Sequence, residues 1–298
     1  MNPQLRRIFK SIVRNPIIRH SIQAILAGNP PGNLPDGVSQ GKYDAYRAFV
    51  DYQQGVYAQN NTNLEEQGFQ GGVPWVGDLE NASVLFLSSN PAITHNQCTP
   101  RYYADEDHWS IYPDQNVIVL NRIIEFFTNP LAPGNLMVIN NGILTVNIFQ
   151  NGQIQPRPGG VQFWNYLVDN ILAELFPQDA NNLPVLVANT VFTEIVPFQS
   201  LNLVGVNGAL QYCWDDFSSH ILNHSAANLW IIVGADARKM LSAMTKINFA
   251  TGQISNFVYG GRPRTLWFIP HTNAWGGAFQ NFVNQVTTAQ WTQLINAI

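Results

Sequence analysis

The chain has 298 residues, 46% of them hydrophobic and 12% aromatic. That supplies a core for one large α/β domain or two modest ones and excludes general disorder. Charged residues are only 11%, asparagine with 33 copies fills the gap, and a net charge of −4 excludes a chain coated in basic charge.

The charge is unevenly spread. Residues 1–35 hold Arg6, Arg7, Lys10, Arg14 and Arg19 and no acid; residues 237–298 hold Arg238, Lys239, Lys246, Arg262 and Arg264 and again no acid. The stretch between carries five basic and nineteen acidic residues. An anionic partner is therefore expected to meet the two ends of the chain.

In chain order, Leu5, Ile8, Phe9 and Ile12 are spaced for one helical face that Pro16 ends, and Ile18, Ile22 and Ile25 continue a second helix closed by Gly28. Residues 28–41 are rich in Pro and Gly and read as a linker, after which Tyr43, Tyr46, Val50 and Tyr57 mark a third helix. Residues 1–74 thus read as a helical N-terminal extension packed on the main domain; its basic helix could instead touch nucleic acid or a membrane surface.

From residue 75 onward short apolar runs appear at Ser83–Leu87, Val185–Ala188, Leu229–Val233 and Thr265–Ile269, each bounded by polar or turn residues as in buried parallel strands. Helical patterns lie between or after them at Val117–Phe127, Phe163–Phe176, Ala209–Leu222, Ala235–Met244 and Phe282–Ile295, and 129–160 reads as a β-hairpin insertion. Strands alternating with helices predict a three-layer α/β sandwich over 75–298 around a mainly parallel four-stranded sheet.

Cys98 and Cys213 are too few for a disulfide framework, a four-cysteine zinc site or an iron–sulfur cluster. No apolar run approaches a membrane span, so the reading is a soluble, reduced, cytoplasmic protein. A cluster of His95 and Cys98 with Asp105, Glu106, Asp107 and His108 has metal-ligand character, but acid runs in loops are more often solvated charge. Walker, nucleophile-elbow, zinc-helix and dinucleotide signatures are missing, so a serine nucleophile at Ser88 or Ser89 with His271 has no elbow behind it.

Ligands of open parallel sheets bind beyond the C-terminal ends of the strands. That rule selects Ser88-Ser89-Asn90-Pro91-Ala92, Asn189-Thr190, Gly234-Ala235-Asp236 and Pro270-His271-Thr272-Asn273.

Three of these segments, in order over residues 73–275, resemble the uracil-DNA glycosylase superfamily. Pro74-Trp75-Val76-Gly77-Asp78-Leu79 leading into Val84 through Ala92 is similar to its lead-in and Asn-Pro type of first motif; Leu186 through Val191 to its base-reading Asn strand; and Ile269 through Trp275 to its histidine loop. The resemblance implies the family's fold and a monofunctional glycosylase that flips a nucleotide out of double-stranded DNA and hydrolyses its N-glycosidic bond with water, using no cofactor and no metal. No lysine sits in the three segments, which argues against a lyase step.

Carried over residue by residue, Asn90 would orient the water, since an amide cannot take a proton as a carboxylate can. His271 would donate to the base carbonyl as negative charge develops. Ser89, Ala92, Tyr103 (or equally Tyr102) and Asn189 would line the base pocket. Asn273, Arg262, Arg264 and, as the wedge, Trp275 would meet the DNA.

Ala92 stands where the uracil enzymes place a tyrosine against C5, so the implied substrate is a bulky C5-modified pyrimidine such as glucosylated hydroxymethylcytosine of phage DNA. Uracil or mismatch excision, a non-catalytic nucleic-acid-binding module of the same fold and a nucleoside hydrolase are the alternatives. No obligate protein partner is implied.

Overall fold

The structure, a computed structural model, describes residues 1–28, 34–60, 68–91, 101–102, 109–110, 120–150, 153–200, 203–273 and 277–298. Asparagine and proline start the first two helices. In α1 (Pro3–Val13) the Asn2 side chain accepts from Gln4 N–H at 2.8 Å; in α2 (Pro16–Leu26) Asn15 accepts from Ile17 and Ile18 N–H. Pro16 therefore opens the second helix rather than merely ending the first. Ser39 caps α3 (Gln40–Gln59).

Helices α1 to α3 share one apolar cluster with the sheet: Leu5, Phe9, Ile12, Tyr43 and Phe49 are fully buried in it. Phe9 meets Trp75 edge-on at 5.2 Å. Tyr46 donates to Asp216, which Lys42 also bonds, tying α3 to the helix at 206–224.

A mixed six-stranded sheet forms the centre. Its strands are β1 (Trp75–Gly77), β2 (Val84–Ser88), β3 (Thr190–Glu194), β4 (Leu229–Val233), β5 (Ile254–Tyr259) and β6 (Arg262–Ile269), in the order β5-β6-β4-β2-β3-β1. The inner four pair in parallel, while β1 and β5 close the edges antiparallel. The expectation of four strands thus misses both edges. Gly77 permits the β1 edge: its φ is +103°, and a Cβ there would lie 2.4 Å from the Thr190 carbonyl oxygen.

A second correction concerns the run at 185–188. Leu183–Ala188 is helical (α6), with Pro184 in its first turn, and the strand starts only at Thr190, where β-branched residues take over. The remaining helices near the sheet are α4 (Leu120–Thr128), α5 (162–175, with a π turn at Val168–Leu172), α7 (206–224, with a π turn at Trp214–Ser218), α8 (Ala235–Thr245), α9 (Ala278–Val283) and α10 (Thr288–Ile295). The expected continuous helix to Ile295 is broken by a Thr287–Gln290 capping box.

Both faces of the sheet are covered. Phe86, Phe192 and Trp267 point one way, to Trp164 of α5, Phe282 of α9 and Trp291 of α10, while Phe268 on the other face lies under Arg238 of α8. The 129–160 insertion is an antiparallel sheet of three strands, Met137–Asn140, Ile143–Gln150 and Gln153–Pro156. Its first turn places Asn141 and Gly142 at φ +51° and +76°, the conformation that a two-residue hairpin requires.

Candidate functional site

Counted along the chain, the parallel strands lie in the order 2-1-3-4, so the connections leave β2 in opposite directions. The switch point, where such sheets hold ligands, falls between β2 and β4 at their C-terminal ends.

The chain after β2 stays in ladder with the chain after β3: Ile195 N–H donates to Ser88 O at 3.0 Å and Val196 N–H to Ser89 O at 2.9 Å. Asn90 is held by its amide nitrogen, which donates to Pro91 O (3.1 Å) and to Ser200 O (3.2 Å). Its Oδ1 faces no hydrogen-bond donor among the described residues, which leaves an acceptor on a fixed, half-buried group. Alternation places Ser89 on the opposite face from Ser88.

His271 follows β6, two strand spacings or about 10 Å from the β2 end. Asn273 N–H donates to its Nδ1 at 3.1 Å, so Nδ1 is the acceptor and Nε2 carries the proton of the neutral ring. The Phe163 ring lies 5.4 Å from it, tilted. Gly234, at φ +90°, sits behind: a Cβ there would reach 3.5 Å from His271 Cβ and Cδ2. Burial against these groups pulls the imidazole below its ordinary pKa, and Asp236 opposes that only in part. The side chain is exposed on its remaining side, toward the crevice.

One step deeper, with Glu194 on the far side of β2 from His271, Ser88 and Glu194 are paired across β2 and β3, and Ser88 Oγ–H donates to Glu194 Oε2. Alternation puts both on the face of Phe192 and Phe86, the face that Trp164 covers at 3.8 Å from Phe192. Glu194 is a half-buried carboxyl whose pKa is pushed up to about 7 by burial, the Ser88 hydrogen bond pulling the other way. Glu194, Phe163 and Trp164 were outside the sequence-selected set. The signal for Glu194 was a lone acid ending the β-branched run Thr190-Val191-Phe192-Thr193.

Three selected residues lie elsewhere. Asn189 caps α6, donates to Val185 O, and its carbonyl accepts from Ser83 and Val84 N–H; it therefore sits at the N-terminal end of the sheet, away from the crevice. Arg264 and Arg262 start β6 at that same end, seven and nine residues from His271, or roughly 23–30 Å of extended chain. Arg264 is 2% exposed and donates to Ser225, Ala226 and Ala227 carbonyls under Trp230, a structural role. Arg262 and Arg264 therefore do not lie at the crevice mouth.

Asn273 acts through its backbone, orienting His271. Ala92, Tyr103, Trp275 and the His95–His108 cluster lie outside the described residues, as does the side chain of Tyr102. Among the described residues no group of three His, Cys, Asp or Glu is arranged to hold a metal, and no helix is long and apolar enough to cross a membrane.

No protein-family model and no curated protein sequence matches the chain. The chemistry of the crevice is thus the guide to its function: a fixed amide acceptor, a neutral imidazole N–H donor and a proton-holding carboxyl, beside aromatic rings at a switch point.

Proposed function

We propose that the chain is a monofunctional DNA glycosylase that takes a flipped nucleotide into this crevice and hydrolyses its N-glycosidic bond. The observation that carries the reading is the pairing of Asn90 with His271 across the switch point. One presents an acceptor and the other a donor, and each is locked by hydrogen bonds to backbone groups.

Cleavage builds cationic character on the sugar and negative charge on the departing base. The Asn90 Oδ1 orients a water toward the sugar carbon, and the Nε2–H of a neutral His271 meets the base carbonyl as it gains charge. A depressed imidazole pKa suits that role, because a neutral donor is present at physiological pH without having to lose a proton first. Phe163 and Trp164 supply apolar walls that exclude water beside the rings of a base.

The favoured substrate is a pyrimidine with a bulky C5 substituent, of which glucosylated hydroxymethylcytosine is an example; this part rests on Ala92 in the first motif. The test is incubation with duplexes containing one uracil, one G·T mismatch or one glucosylated hydroxymethylcytosine, followed by scoring of alkali-labile abasic sites. Release of the modified base is the expected result. Release of uracil alone removes the modified-base reading, and release of none from any duplex removes the glycosylase.

A further inference from the structure

We infer that Glu194 forms the floor of the base pocket and acts on the edge of the base, selecting one with an exocyclic amine beside a lone-pair ring nitrogen, the N3/N4 edge of a cytosine. The inference rests on the glycosylase reading of the same crevice and adds a substrate class and a proton donor to it.

Geometry comes first. Glu194 and Ser88 end neighbouring strands at one level; Asn90 stands two residues beyond it on β2 and His271 two residues beyond it on β6, with β4 between those two and Glu194 on the opposite side of β2 from His271. A planar base laid across these strand ends, its sugar carbon at Asn90 and its O2 toward His271, turns the N4 end of its N3/N4 edge toward the Glu194–Ser88 pair. Oε2 accepts from the Ser88 hydroxyl and keeps a second lone pair for an amine, while Oε1 has no partner among the described residues and can carry the proton. Phe192, and Trp164 packed against it, line the same face of the sheet as the carboxyl.

Chemistry selects the edge. A neutral carboxyl offers one O–H and one acceptor side by side, the complement of a ring nitrogen flanked by an amine. Burial pushes the Glu194 pKa up to about 7, so the carboxyl is mostly protonated below that pH and mostly ionised above it. The elements packed around it bring Ser88 and Trp164. Among the described residues, Asp236 on α8 and His271 are the other ionisable groups at this end of the sheet, Asp169 lies six residues beyond Phe163 on α5, and none of them shifts it.

The step balances. As the C1′–N1 bond breaks, its electron pair goes to the base, and the Glu194 proton passes to N3, so the cytosine leaves neutral. Water adds its oxygen to C1′, and the proton it releases restores the carboxyl. Uracil has no lone-pair nitrogen on that edge, and its carbonyl oxygen is a far weaker base, so it gains the contacts without the proton transfer.

The experiment uses the full chain and two pairs of duplexes alike except at C4: 5-hydroxymethylcytosine against 5-hydroxymethyluracil, and the glucosylated form of each. Base release is followed from pH 5.5 to 9, with binding of the two free hydroxymethyl bases measured by calorimetry. The amino bases should be released at least about tenfold faster, with a rate that falls about tenfold per unit above pH 8. Glu194→Gln, which keeps the shape and hydrogen bonds but holds no transferable proton, should lose roughly 100-fold or more and the falling limb with it. Ser88→Ala should move that limb to higher pH, a shift that a purely structural Ser88 would not produce. Release by Glu194→Gln at the wild-type rate and pH profile, or equal release of both members of a pair, overturns the inference and leaves the glycosylase standing. If no duplex is cut, selective binding of free 5-hydroxymethylcytosine that Glu194→Ala abolishes upholds the pocket and removes the glycosylase; no selective binding overturns both.

Discussion

Arg264→Ala should destabilise the protein by about 3 kcal/mol while leaving the crevice intact. The guanidinium donates at 2.6 Å to Ala227 O and 2.7 Å to Ser225 O, with a longer 3.3 Å contact to Ala226 O. Two charge-assisted bonds contribute about 1.5–3 kcal/mol each, and the guanidinium 5.4 Å from the Trp230 ring centroid adds about 1 kcal/mol. Against this, alanine relieves the desolvation of a cation that is 2% exposed, a cost of several kcal/mol by itself. The difference leaves about 3 kcal/mol, much of it from the Ser225 carbonyl losing its donor; Ala227 O keeps Trp230 Nε1–H at 2.9 Å. Arg264→Met, which restores cover over Trp230 without the charge, should recover roughly a third of the loss. Arg262, exposed at the β5–β6 turn, should tolerate alanine within about 0.5 kcal/mol. Urea unfolding followed by tryptophan fluorescence reads all three, with the melting temperature of Arg264→Ala down by roughly 5–10 °C. A variant that melts like wild type but binds DNA more weakly would return Arg264 to a nucleic-acid surface and refute the reasoning.

Asn90→Ala should lower base release by orders of magnitude in an abasic-site assay while costing only about 1 kcal/mol in a melt, the price of its bond to Ser200 O. His271→Ala should lose roughly 100- to 1000-fold in the same assay. On the acid limb of the wild-type profile, the rate should drop as the imidazole is protonated, at a pH below the ordinary histidine value; an acid limb centred above it would contradict the neutral-donor role. Gly77→Ala should cost about 3 kcal/mol or more by circular-dichroism melting, because the new methyl meets the Thr190 carbonyl at a positive φ, whereas Gly142→Ala, with open space around it, should cost about 1 kcal/mol. Glu194, raised from 4.5 to about 7, favours the folded state fully below its unfolded pKa, an advantage lost as pH rises through 7. Glu194→Gln should accordingly be more stable than wild type at pH 8, by up to about 3 kcal/mol in denaturant titrations, and equal stability at that pH would show the carboxyl to be solvated.

What the sequence made legible follows the strength of each local signal. Leu229–Val233 is a strand to the residue, because a five-residue apolar run bounded by Asn228 and Gly234 leaves no room for a helix. Leu183–Ala188 carried the same apolar texture, and only Pro184 in the first turn distinguished a helix from a strand; a short apolar run is ambiguous by periodicity alone. That single displacement carried Asn189 to the wrong end of the sheet and hid Glu194, which the true strand brings to the crevice. The edge strands fell below notice for other reasons. Trp75–Gly77 is three residues long, and Ile254–Tyr259 has no fully buried position, although the Gly260-Gly261 turn after it was a hairpin signal. Asn90 and His271 were found because both follow strands whose ends the sequence marks clearly. Phe163 and Trp164 were not, because contacts across the sheet depend on which face a helix covers, and no local pattern encodes that.

The burial of α1 bears on how the chain is made. Leu5, Phe9 and Ile12 rest against Trp75 and the end of α7 near residue 224, so their partners span more than 200 positions of sequence. During synthesis at roughly 5–20 residues per second, that apolar stripe waits about 10–40 s before the helix that covers it has been polymerised. Through that interval the stripe is open to chaperones and to other nascent chains, and folding that depends on such distant contacts is slow to begin. A slower translating host, or one short of holdase capacity, should therefore yield more aggregate from this sequence than its final stability alone would indicate.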